Sequence, residues 1–159
     1  MSTQQASGER LQSWVSFLRA HSAITRQLNA DLLNAHGLTL SDYEVLVRLS
    51  AADGGMMRRV DLAESVVLTA SGITRLLDGL ERSGFVEKAA CREDARVSYA
   101  KLTPAGRERL ESASSTHRAG IEELFTGRFN AEELDGLASL LARLPMSGRA
   151  CFGDRSCGG

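Results

Sequence analysis

Apolar residues recur along this chain with two different periods, and the switch between them outlines the architecture. From about Ser7 to Ala35, Leu11, Trp14, Leu18, Thr25, Leu28 and Leu32 recur at steps of three, four or seven, which is one face of a helix. Trp14, Phe17, His21, Ile24 and Leu28 trace a second, overlapping stripe. An apolar face this wide exceeds what one small domain covers, so a partner chain is expected against it. Gly37 is placed to end the helix as a C-cap. Ser41-Asp42-Tyr43-Glu44 has the S-x-x-E spacing of a capping box, opening a second helix with Val45, Leu46 and Leu49 inward. Asp53-Gly54-Gly55 breaks that helix, and Met56 to Arg58 reads as a short extended piece.

Two helical patterns follow closely. Val60–Val66 carries Leu62 and Ala63, and Thr69–Ser83 carries Ile73, Leu76, Leu77 and Leu80, with Thr69 as N-cap and Ser83-Gly84 as the stop. Two short helices joined by a three- or four-residue turn make a helix-turn-helix. The period then changes: Phe85–Ala90 and Val97–Leu102 read as strands around a charged loop, Cys91–Arg96, forming a hairpin wing. Thr103-Pro104 restarts helix, with threonine as cap and proline at the first helical position, and the stripe Leu110, Ala113, His117, Ile121, Leu124, Phe125 carries it to about Phe129. Asn130 caps a last helix with Glu133 three residues on, its stripe Leu134, Leu137, Ala138, Leu141 and Leu144, and Pro145 as the stop.

The expected fold is therefore mainly α with a small β-wing. A winged helix-turn-helix spans about 40–102, flanked by dimerisation helices at 9–36 and 103–145 within one unit of 9–145. Residues 1–8 are expected to be a flexible N-terminus, and the Gly-rich 146–159 a disordered tail.

Composition narrows the class. At 159 residues with 43% hydrophobic content, the chain can bury a core without disulfides or metal. No apolar run approaches the roughly 18 residues that span a bilayer, and the first ten residues carry no signal-peptide core, so a cytoplasmic protein without a membrane partner is expected. The three cysteines, Cys91, Cys151 and Cys157, form no C-x-x-C pair and have no histidine at ligand spacing, so no metal or cofactor is expected. The chain lacks G-x-S-x-G, P-loop, G-x-G-x-x-G and H-E-x-x-H motifs, and its three histidines are scattered, so it does not read as an enzyme.

The middle of the chain resembles the MarR transcriptional regulators, over about residues 9–145. Asp94-Ala95-Arg96 followed by Leu102-Thr103-Pro104-Ala105-Gly106 matches that family's wing signature, D-x-R then L-T-x-x-G. Ser71-Gly72-Ile73-Thr74-Arg75-Leu76 is similar to its recognition helix, and Leu62-Ala63-Glu64 to the helix before it. The resemblance implies a dimeric winged helix that binds double-stranded DNA at pseudo-palindromic operators, commonly as a repressor released by a small ligand or an oxidant. Ala70 and Gly79 stand where relatives often carry Arg, which removes two phosphate-binding side chains per subunit.

The residue types suit those roles. A recognition helix enters the major groove by its N-terminal end, which here carries Ala70, Ser71, Thr74 and Arg75 behind the cap Thr69. Arg75 suits either a two-point grip on guanine or a phosphate contact. Arg92 and Arg96 on the wing are candidates for the minor groove, with Asp94 orienting Arg96 or pairing with a neighbouring Arg. Arg58 and Arg59 are candidate phosphate clamps. Trp14, Phe17 and His21, approached by Tyr43 or His117, are a candidate pocket for a phenolic or carboxylate effector, or else plain core. Cys91, beside Arg92, is a candidate redox thiol or a small half-buried residue. A winged helix that binds protein instead of DNA is the remaining alternative.

Net charge of −1 at first argues against nucleic acid. By position it does not: residues 56–109 carry a net +2 and the remainder −3. A few placed arginines are expected, and binding that depends on dimerisation.

Overall fold

A computed structural model describes the backbone of residues 3–66, 70–90 and 97–145, with side chains from residue 11 onward apart from that of Ala70. It is mostly helical, in the order α1 (Thr3–His36), α2 (Leu40–Ala51), a 3₁₀ turn (Asp53–Gly55), β1 (Met56–Arg58), α3 (Arg59–Ser65), α4 (Ala70–Arg82), β2 (Val86–Ala90), β3 (Ser98–Leu102), α5 (Pro104–Leu124), a second 3₁₀ turn (Thr126–Arg128) and α6 (Ala131–Leu141). The three strands form one antiparallel sheet in the order β1-β3-β2. Met57 pairs with Ala100 on one side of β3, and Lys88 with the same Ala100 on the other. The short extended piece at Met56 is thus the third strand, closing the sheet against the helices.

Residue chemistry sets the boundaries. Gly37 leaves α1 with φ 67°, a left-handed conformation that glycine adopts without strain. Thr39 caps α2: its hydroxyl accepts from the Asp42 amide at 3.0 Å while Asp42 accepts from the Thr39 amide at 2.8 Å. The capping box expected at Ser41 and Glu44 therefore lies two residues earlier, because Leu38 is buried and the chain turns into helix directly behind it. Thr103 caps α5 with Pro104 at the first position, and Asn130 and Glu133 form a reciprocal box on α6, both as the spacing predicts.

Three further boundaries differ from expectation. Helix α1 begins at Thr3, ahead of the expected start near Ser7. Helix α5 ends at Leu124 instead of continuing to Phe129. The backbone leaves the helix at Phe125 (φ −137°, ψ −72°), and Gly127 folds back so closely that a Cβ there would lie 2.6 Å from the Glu122 carbonyl oxygen. Helix α6 stops at Leu141, four residues before Pro145. The expected tail, 146–159, lies outside the described residues.

One core unites the winged helix with the long helices. Leu32 and Leu38, Val45, Leu46 and Leu49 of α2, Leu62 of α3, Ile73, Leu77 and Leu80 of α4, Val86, Ala100 and Leu102 of the sheet, and Leu110 and Ala113 of α5 form a single buried cluster. Helix α1 crosses α5 where Gly120 lets the Leu28 methyl approach: an added Cβ would meet it at 2.7 Å. Beyond that crossing the apolar stripes are uncovered. Leu11, Trp14, Phe17 and Leu18 on α1, and Phe129, Leu140 and Leu144 near the other end, are exposed, and α6 buries none of its residues.

Candidate nucleic-acid interface

Helix α4 is held by one face and presents the other. Ile73, Leu77 and Leu80 recur at four and three residues and are buried. At about 100° per residue, Ser71, Arg75, Asp78 and Arg82 fall on the side roughly opposite that stripe. All four are exposed, as is Thr74 on the flank. An open groove along this side is lined by Arg75, Asp78, Glu81 and Arg82. The N-terminal half of the exposed side thus carries hydroxyls and a guanidinium, and the C-terminal half carries Asp78 and Arg82, whose Nε donates to the Asp78 backbone carbonyl at 3.3 Å.

The two clamp candidates part company. Arg58 is half-exposed at the end of β1, 3.9 Å from Asp61. Arg59 turns inward: its side chain is 17% exposed, and its guanidinium lies 3.4 Å from the Glu81 carboxylate and 4.0 Å from that of Asp78. The Arg59 guanidinium thus faces two acids of α4, whereas that of Arg58 lies beside Asp61. Glu81 also accepts Lys88 of β2 at 3.4 Å, which joins the wing to the same carboxylate. Sequence reading missed Glu81 and Lys88, because no spacing rule connects an acid late in one helix to cations 22 residues before and seven after.

Thr69, Arg92, Asp94, Arg96 and Cys91 lie outside the described residues, and of Ala70 only the backbone is described, as the first residue of α4. The strands that launch the wing are described. Lys101 of β3 pairs with Glu87 of β2 at 3.3 Å, and the wing base is fastened to α5 by the Thr103 hydroxyl, which donates to the Gly84 carbonyl at 2.6 Å.

The expected effector box does not assemble as one site. Trp14, Phe17 and His21 stack in a row along α1, ring centroids 6.2 and 6.3 Å apart. Phe17 and His21 line an apolar cavity of about 460 Å³ with Ile24, Phe125, Phe129, Leu137 and Leu141, between α1 and α6. Trp14 is outside that lining and 55% exposed. Tyr43 and His117 are instead buried together between α2 and α5, centroids 4.6 Å apart. The Tyr43 hydroxyl lies 3.3 Å from Ser114 Oγ, His117 Nδ1 has no protein hydrogen-bond partner among the described residues, and burial holds the His117 imidazole below its ordinary pKa. Helical periodicity groups residues on one element; it does not say which elements meet. Among the described residues no cluster of three or more His, Cys, Asp or Glu could hold a metal, and no helix is long and apolar enough to cross a membrane.

A helix-turn-helix backed by a three-stranded sheet, with an outward polar face on its second helix, defines the winged helix-turn-helix class. The family model for the MarR family matches residues 38–98, from just ahead of α2 to the first residue of β3. Over that span the chain is similar to the MarR family. YdgJ of Bacillus subtilis strain 168, described as an uncharacterised HTH-type transcriptional regulator, is 33% identical over 108 residues, which cover 68% of this chain and 64% of its own. The match thus spans just under two thirds of that relative. The crystal structure of AbsC, a MarR family transcriptional regulator from Streptomyces coelicolor, superposes with a TM-score of 0.78 at 29% identity, covering 90% of this chain and 93% of AbsC. A mutant MarR from E. coli, complexed with operator DNA, superposes with a TM-score of 0.75 at 25% identity, covering 86% and 96%.

Proposed function

We propose that this chain is a homodimeric, sequence-specific DNA-binding transcriptional repressor that releases a pseudo-palindromic operator when a small ligand binds. The observation that carries the DNA reading is the geometry of α4. Its core-facing stripe is buried, and Ser71, Thr74 and Arg75 are exposed at the N-terminal end that would enter the major groove. Arg75 reads a base edge or grips phosphate, Arg58 holds phosphate, and Arg92 and Arg96 reach the minor groove from the wing. The operator complex of the E. coli relative supports this docking mode.

Dimerisation is supported by the uncovered stripes at both ends of the chain, which lie on α1 and around α6 and together exceed what one subunit buries. The apolar cavity holding Phe17 and His21 supports a compact aromatic effector whose polar group the imidazole would meet. The function is that of a binding protein, not a catalyst, in a cytoplasmic setting.

A salt titration of binding tests the DNA reading, using a duplex enriched from a randomised pool by the wild-type chain. Wild type is expected to bind with strong salt dependence, and Arg75→Ala and Arg96→Ala each to weaken it. Failure to enrich any duplex at low salt, or wild-type affinity in both variants, overturns it.

A further inference from the structure

Arg59, Glu81 and Lys88 form a charged cluster behind the outward face of α4, and the role inferred for it rests on the DNA reading above. Arg59 is the first residue of α3, Glu81 the next-to-last of α4, and Lys88 the third of β2. One Glu81 oxygen lies 3.4 Å from Arg59 Nη1 and the other 3.4 Å from Lys88 Nζ, so a single carboxylate bridges both helices of the unit and the wing. The Glu81 and Arg59 side chains are 19% and 17% exposed, sheltered enough for the pairing to hold a geometry. Asp78, one turn earlier on α4, lies 4.0 Å from the same guanidinium.

The apolar stripe of α4 fixes how deep the helix sits and which side faces out. Because apolar contact is non-directional, the fine adjustment of roll about the helix axis falls to polar pairings off the centre of the stripe. Glu81 stands on the flank of that stripe, about 80° round from its centre, where a tether resists roll. Roll is the motion that would carry Ser71, Thr74 and Arg75 away from base edges. Helix α4 also carries two acids, Asp78 and Glu81, that would repel phosphate if left uncompensated, and Arg59 lies against both. We propose that Arg59, Glu81 and Lys88 are positioning residues for DNA recognition: the bridged carboxylate locks the roll of α4 and its distance from the wing, and none of the three touches DNA.

The test compares the full-length chain with Glu81→Gln, Arg59→Ala and the double variant on the duplex enriched by wild type, across a salt series. Glu81→Gln keeps the side chain's size and removes its charge. If the cluster positions α4, Glu81→Gln and Arg59→Ala each weaken binding about tenfold, the low end for misaligning one bidentate base contact. The double variant is then no worse than either single one, and the salt slope is unchanged. Equal or tighter binding by Glu81→Gln overturns the proposal, because it makes Glu81 a mere repulsive acid. A salt slope flattened by about 0.9 in Arg59→Ala, the amount expected for one fewer neutralised phosphate, also overturns it, because it makes Arg59 a clamp. Thermal unfolding monitors folding. Should a single variant lose its fold, Lys88→Met, at the most exposed member of the cluster, decides: weaker binding with an unchanged salt slope supports the bridged carboxylate, and wild-type binding or a flattened slope refutes it. A wild-type chain that enriches no duplex overturns both readings; wild-type binding matched by every variant overturns only this one.

Discussion

Gly106→Ala should destabilise the protein even though it replaces glycine by the best helix former inside a 21-residue helix. Gly106 is buried in the first turn of α5, where Thr103 Oγ1 accepts its amide at 3.0 Å. A Cβ built there would overlap the Phe85 carbonyl oxygen and lie 2.8 Å from Leu102 Cδ1 and 2.9 Å from the Phe85 carbonyl carbon. The obstacle is backbone, and it is fixed: Phe85 O accepts the Thr103 amide at 3.1 Å, and the neighbouring Gly84 O accepts the Thr103 hydroxyl. Relief would require parting α5 from the wing base. Helix propensity favours alanine by about 1 kcal/mol, and overpacking into an unyielding wall costs about 2–4 kcal/mol, toward the upper part of its usual range. The net expectation is a loss of about 1–3 kcal/mol, lowering Tm by about 2–10 °C for a chain of this size. Gly79→Ala is the internal comparison. It sits inside α4 with nothing within 4 Å of its Cβ position, so the same substitution should raise stability by about 1 kcal/mol. Urea unfolding followed by circular dichroism, at one fixed protomer concentration, reads both. If Gly106→Ala equals or exceeds wild type while m is unchanged, the close approach of α5 to Phe85 is wrong.

Four further outcomes follow from the same structure. Leu46→Ala, at a fully buried position of the shared core, should cost about 2–5 kcal/mol in the same urea assay. Arg75→Ala, at an exposed position, should leave Tm within a degree or two while weakening operator binding: a base contact shows as discrimination relaxed by about 1–3 kcal/mol in competition binding, and a phosphate contact as a salt slope flattened by about 0.9. Trp14→Glu should weaken self-association without unfolding the protomer, as sedimentation would show, because Trp14 is 55% exposed in one chain. His117 should make stability fall as pH drops. Its folded pKa lies below its ordinary value of 6.5, so the unfolded chain binds the proton first, and stability is lost as pH falls below about 6.5 toward the folded value. Glu44, whose carboxyl burial raises against the opposing pull of Arg48, acts in the reverse sense near its own range, so Tm against pH for wild type and His117→Phe isolates the imidazole. Parallel curves would refute it.

Local chemistry made most of this fold legible. Gly37, Thr103-Pro104 and Asn130-x-x-Glu133 mark boundaries by backbone conformation or by an orphan amide satisfied three residues away, and such signals survive whatever packs nearby. Ambiguity arose where two local solutions competed. Thr39-x-x-Asp42 and Ser41-x-x-Glu44 both have cap spacing, and burial of Leu38 selects the first. The end of α5 was hidden because Leu124 and Phe125 continue a helical stripe, whereas Gly127 makes a tight return that periodicity does not register.

The candidate site was legible in part for the same reason. The outward face of α4 follows from its own period, which turns Ser71, Thr74 and Arg75 toward solvent, and the structure has all three exposed. Arg59 and its neighbour Arg58 look alike in sequence, and only the crossing of α3 with α4 sends one to Glu81 and leaves the other beside Asp61. Likewise His21 and His117 each fit an apolar stripe, yet one lines the cavity between α1 and α6 and the other lies against Tyr43 of α2. Tertiary crossings decide such pairings, and no short-range pattern encodes them.

The most direct test of a dimer that reads DNA with α4 is a protection footprint of the full-length chain on the duplex it enriches from a randomised pool. The account predicts two protected half-sites related by a two-fold axis, their centres about one helical turn (~10 base pairs) or a whole multiple apart, both disappearing together in Arg75→Ala. A single unrepeated protected segment, or protection unchanged in Arg75→Ala, would contradict it.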